Sequence, residues 1–135
     1  MHKIVVITPA GRQRYLSVLD HYIRRDATIE WRLYDNCRCG SDRAYLAKVA
    51  RDNPKARVIP LAGGDGATRS INAIHGQCSD PETFYIKMDD DIVYLNPGFA
   101  GRLYAAAMRD PDGPIWWSPL VINNAVCSFL IKQAS

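Results

Sequence analysis

The chain has 135 residues, with 17 Lys+Arg against 14 Asp+Glu for a formal net charge of +3. That length is one domain's worth of core, residues 1–135, and the small positive balance without a block of like charges excludes nucleic acid as an expected partner. The longest apolar run near the N-terminus, Ile4 to Ile7, is too short for a signal peptide or a membrane span, so a cytoplasmic protein without an integral membrane segment is expected.

His2 to Thr8 is a β-branched apolar run stopped by Pro9-Ala10-Gly11, and reads as a buried parallel strand followed by a loop. Tyr15, Leu16, Leu19, Tyr22 and Ile23 then recur at helical spacing, and Arg24-Arg25 suits the negative pole of that helix. Ile29 to Tyr34 alternates as a second strand, ended by Asp35-Asn36. Ser41 is the expected N-cap of an alanine-rich helix that Asn53-Pro54 stops, and Arg57 to Leu61 is a short third strand. Gly63-Gly64-Asp65-Gly66 permits close approach to a ligand before a helix from about Thr68 to Gln77. Phe84 to Met88 is the fourth strand. Asn96-Pro97-Gly98 opens a further helix with Phe99, Leu103, Ala106 and Ala107 inward, stopped by Asp110-Pro111-Asp112-Gly113. Ile115-Trp116-Trp117 and Leu120-Val121-Ile122 read as late strand, and Ala125 to Ile131 as a structured end.

The fourth strand runs straight into Asp89-Asp90-Asp91. Three adjacent carboxylates repel one another, and a divalent cation removes that cost because Mg²⁺ and Mn²⁺ take carboxylate oxygens and share them with substrate phosphates. Extended-chain alternation puts Asp89 and Asp91 on one side and Asp90 on the other. Alternation of strands and helices makes this an α/β domain with a mostly parallel central sheet, whose ligands bind beyond the carboxyl ends of the strands. Thr8 to Arg12, Asp35-Asn36, the glycine loop and the acid triplet all fall there.

In that order, residues 3 to 95 resemble the nucleotide-binding half of a glycosyltransferase of the A-type fold, with Asp89-Asp90-Asp91 as its Asp-x-Asp signature. The resemblance implies a three-layer Rossmann-like domain that binds a nucleotide diphosphate sugar, a UDP-sugar first, with Mn²⁺ or Mg²⁺ as cofactor. It implies that Asp91 holds the metal, that Asp89 touches the ribose or sugar and helps hold the ion, and that Asp90 belongs to the same donor site. Asp35 would accept a hydrogen bond from the base. Thr8, Pro9 and Ala10 would line the base and ribose pocket through their backbone, and Arg69 and Asn72 would face the nucleotide from the third helix. Inversion is the expected stereochemical course.

Plainer readings stand beside these. Asp35 can cap a turn, Arg12 and Arg14 can be solvated loop charges, Arg69 can pair with Asp65, and Lys87 can neutralise Asp89 or Asp90. Trp116-Trp117 suits core packing as well as sugar stacking, and His75 reads as a surface residue rather than a base. Cys37, Cys39, Cys78 and Cys127 lack paired C-x-x-C spacing, so reduced thiols are expected. No catalytic base is identified: the only acids after the triplet, Asp110 and Asp112, lie in a Pro-Gly turn. The chain therefore reads as a truncated or minimal transferase acting on an unknown acceptor, with apolar residues near its C-terminus leaving a homodimer open. The alternatives are a non-catalytic nucleotide- or sugar-binding module and a Mg²⁺-dependent phosphotransferase. The haloacid-dehalogenase type of the latter needs an acid on the first strand, which Ile4 to Thr8 lacks, and no P-loop motif is present.

Overall fold

The structure is a computed structural model that describes residues 2–61, 68–110 and 113, with the backbone alone at 68–71. The glycine loop, the expected late strands, Trp116-Trp117, Asp112 and Cys127 lie outside the described residues. The chain falls into two compact units, Met1–Arg102 and Leu103–Ser135.

In the first unit, β1 (Lys3–Ala10), α1 (Gln13–Arg25), β2 (Ile29–Asp35), α2 (Gly40–Asp52), β3 (Ala56–Pro60), α3 (Thr68–His75) and β4 (Thr83–Lys87) alternate. Their strands form one parallel sheet in the order β3-β2-β1-β4, flanked by helices as a small Rossmann-like α/β domain. α4 (Phe99–Ala107) starts in the first unit and ends in the second. Ala100 is fully buried on it, while Phe99 and Leu103 are half-buried. No helix among the described residues is long and apolar enough to cross a membrane.

β1 is central, and Ile4 to Ile7 are all buried because both faces are covered. On one face Val5, Ile7, Tyr34 and Leu61 pack with Ile74 of α3. On the other, Trp31 is wholly buried and its Nε1–H donates to the Thr8 hydroxyl at 3.0 Å. α1 turns Leu16, Leu19 and Ile23 inward as its spacing predicts. It also buries Asp20, whose carboxylate accepts from Arg24 and from the Asn53 side chain at the end of α2. Lys55 caps the C-terminal end of α1, donating to the carbonyls of Ile23, Arg24 and Asp26.

Two boundaries differ from expectation for physical reasons. β1 continues through Pro9 to Ala10 instead of stopping at the proline. Ile7 turns its backbone groups to β4, where its carbonyl accepts the Met88 N–H, so with a period of two Pro9 faces the same side. β4 pairing has ended by then, at Ile7 with Lys87, so the missing N–H leaves no partner unsatisfied. At the start of α2 the N-cap is Cys39, not Ser41, and Asp42 sits in the first turn. Asp42 accepts the Cys39 thiol and the Gln13 N–H, joining the starts of α1 and α2.

Candidate functional site

The strand order reverses between β1 and β4. β2 and β3 extend the sheet to one side of β1, and β4 lies on the other. A crevice beyond the carboxyl ends at such a reversal is where open α/β sheets take their ligands. β1 delivers Gly11 and Arg12 to this place, and β4 delivers Asp89, Asp90 and Asp91.

The exposure of the triplet alternates, although β4 has ended at Lys87 and the chain turns at Asp90 and Asp91. Asp90 is buried at 4% exposure, while Asp89 and Asp91 flank it with side chains 54% and 47% exposed. Asp90 accepts the Gly11 N–H at 3.0 Å on Oδ2, and both Nε (3.0 Å) and Nη2 of Arg12 on Oδ1. The same Nη2 reaches Asp91 Oδ2 at 3.1 Å, and the guanidinium lies 5.2 Å over the Tyr15 ring. Asp90 raises the Arg12 pKa by hydrogen bonding against the effect of burial, and Asp91 adds to it, so the cation is permanent. Arg12 is thus a built part of the cluster rather than a solvated loop charge. The Lys87 ammonium pairs with Asp89, as its place in the strand suggested.

Gly11 makes this junction possible. A Cβ there would stand 2.8 Å from the Asn36 carbonyl oxygen, a distance no side chain tolerates. Asn36 in turn donates its N–H to the Ala10 carbonyl at 2.9 Å. The exits of β1, β2 and β4 are therefore tied together within a few residues.

The other expected site residues are distributed around this junction. Thr8, Pro9 and Ala10 are buried in β1. The Thr8 hydroxyl is committed to Trp31, and the Ala10 carbonyl accepts Asn36 N–H and the Cys37 thiol. Asp35 ends β2 and accepts the Cys37 N–H (3.1 Å) and Arg43 Nε (3.0 Å), which is the turn-capping arrangement. Burial alone would raise the Asp35 carboxyl, but the Cys37 N–H and the Arg43 guanidinium hold it below its ordinary value. Asn72 is exposed on α3, three residues beyond Arg69 on the same helix. His75 is exposed, as expected. Cys37, Cys39 and Cys78 are free thiols, and burial followed by Asp35 pushes the Cys37 thiol up to about 12.

The cluster's charge favours a cation. Asp89, Asp90 and Asp91 face Arg12 and Lys87, three negative charges against two positive, which leaves one negative charge over. Among the described residues no group of three or more His, Cys, Asp or Glu is gathered to cage a metal ion. Mg²⁺-type sites that also use substrate phosphates need only one or two carboxylates. Asp89 and Asp91 fit that kind of site in number and exposure, whereas Asp90 is buried and mostly engaged by Gly11 and Arg12. Among known proteins, no family model and no curated protein matches this sequence.

Gly11 and Arg12 are expected from the sequence at the ligand-binding end of the sheet but not among the site residues, with Arg12 read as a solvated loop charge. The signal present was a Gly-Arg pair directly after the first strand. Its partner lies 78 residues away, and no local pattern announces such a pair. A separate shallow groove of about 270 Å³ is lined by Tyr22, Asp26, Tyr94, Asn96 and Phe99. It lies at the far end of α1, with Tyr22 ten residues or about 15 Å along the helix from Arg12.

Proposed function

We propose that this chain is the nucleotide-binding part of a metal-dependent glycosyltransferase of the A-type fold, taking a nucleotide diphosphate sugar, a UDP-sugar first. The observation that carries the proposal is the split triplet. Two exposed carboxylates flank a third that is locked to the β1 exit, at the strand-order reversal of a parallel sheet.

Asp91 and Asp89 would hold Mn²⁺ or Mg²⁺, and the ion when bound supplies positive charge against the charge that develops on a leaving diphosphate. Asp90 fixes the turn that presents its two neighbours, with three of its about four acceptor sites already taken by Gly11 and Arg12. Asp35, at the β2 exit, keeps acceptor capacity beyond its bonds to Cys37 and Arg43 and would take a base N–H. Arg69 and Asn72 would approach the nucleotide from α3, and the acceptor would enter from outside this constellation.

Calorimetric titration of UDP, then GDP, with and without Mn²⁺, tests the reading on the wild type and on Asp91→Asn. Mn²⁺-dependent UDP binding that Asp91→Asn abolishes is expected. No nucleotide binding with any divalent ion would reduce the triplet to an acidic turn. Binding without turnover of any UDP-sugar would favour a non-catalytic nucleotide- or sugar-binding module, and hydrolysis of a phosphate monoester would favour a phosphotransferase.

A further inference from the structure

We propose that Arg12 makes the acid cluster selective for a metal–diphosphate pair over the bare metal ion, an inference that rests on the donor-site reading above. The guanidinium is anchored on one side and shared on the other. Nε and Nη2 are held by Asp90 Oδ1, and Asp90 is itself pinned by the Gly11 N–H. The contact from Nη2 to Asp91 Oδ2 is the exposed and dispensable one, at 3.1 Å. Nη1 makes no hydrogen bond among the described residues.

A divalent ion that takes an oxygen of Asp91 competes with this contact, so Arg12 opposes the ion when it comes alone. The guanidinium cannot leave, because its other edge is fixed to a buried carboxylate. Once released from Asp91, the free N–H groups remain in the crevice beside the ion. A planar guanidinium fork matches phosphate oxygens, and a charge-assisted bond to a diphosphate would replace the one given up. Arg12 therefore acts in opposite directions on the two ligands. It weakens Mn²⁺ binding alone and strengthens UDP binding in the presence of Mn²⁺.

The test uses Arg12→Lys, which keeps a cation for Asp90 but not a fork that spans both acids. It also uses the double variant Arg12→Ala/Asp90→Ala, which removes both charges of the pair so that neither is stranded, and whose loss of the acceptor for the Gly11 N–H is read out separately by the thermal melt. Free Mn²⁺ is measured by paramagnetic resonance, UDP affinity by calorimetry in saturating Mn²⁺, and folding by thermal melting. The expected result is Mn²⁺ binding about two- to five-fold tighter, as for loss of an exposed ion pair. UDP affinity falls at least ten-fold, as for loss of a charge-assisted hydrogen bond. If both affinities move the same way, or neither moves in a folded variant, Arg12 is a structural clamp alone and the inference falls while the donor site stands. If the wild type shows no Mn²⁺-dependent UDP binding, the donor-site reading fails and this inference with it.

Discussion

Asp90→Asn removes one charge at nearly constant shape, and the geometry around Asp90 sets its cost. The wild-type carboxylate accepts on both oxygens, from Gly11 N–H on one and from Arg12 on the other. An asparagine offers one oxygen and one NH₂, so in either orientation a donor meets a donor. With the oxygen toward Arg12, the Gly11 N–H is stranded at a cost of about 1–3 kcal/mol, and the guanidinium bond loses its charge assistance. Breaking a fully buried pair costs about 3–5 kcal/mol, but the Arg12 side chain is half exposed and retains Asp91, so about 2–3 kcal/mol is expected. For a urea slope of about 1.5 kcal/mol/M, the unfolding midpoint drops by about 1.3–2 M. Raising NaCl to about 1 M should leave most of this deficit in place, because a buried contact is little screened. A loss below about 0.5 kcal/mol, or one that salt abolishes, would show Asp90 behaving as a surface acid and refute the clamp.

Thr8→Val strands the buried Trp31 indole N–H and should cost about 1–3 kcal/mol in urea unfolding while leaving UDP affinity unchanged. A fall in UDP affinity without loss of stability would return the Thr8 hydroxyl to the donor site. Asp35→Asn probes the depressed Asp35 carboxyl. A folded-state pKa below the unfolded value contributes stability above the unfolded pKa of about 3.9 that is lost as pH falls through the folded value. The variant should therefore be less stable than wild type at neutral pH, and the two stability curves should converge as pH falls below that range. Parallel curves down to pH 2 would mean that Cys37 N–H and Arg43 do not favour the charged form.

The element sequence was legible because each segment's periodicity agrees with its burial. Ile4 to Ile7 is a continuous apolar run and is covered on both faces, and Leu16, Leu19 and Ile23 mark one side of α1. The exposure pattern of the triplet agrees with a period of two, but β4 ends at Lys87 and the turn at Asp90 and Asp91 brings both acids to Arg12, which extended alternation does not foresee. What stayed hidden depended on distant neighbours. Pro9 is a strand residue only because β4 is short on that side. Asp20 is buried with Arg24 on one oxygen and Asn53, 33 residues later, on the other. Arg12 looked like one of several loop cations, and its pairing with Asp90 and Asp91 separates it from Arg14.

The position of β1 has a consequence for how the chain acquires its shape. The neighbour of β1 on one side, β2, arrives within a single helical connection, whereas β4 on the other side begins only at Thr83. During synthesis β1, β2 and β3 can assemble while one edge of β1 stays open, with buried-type residues Val5 and Ile7 beside it. Such an edge is a template for pairing with another nascent chain until β4 closes it. The tie from Gly11 and Arg12 to Asp90 forms at that closing step, so the crevice and the completed sheet appear together. An early chain terminated before β4 would carry both an open central strand and an unpaired Arg12.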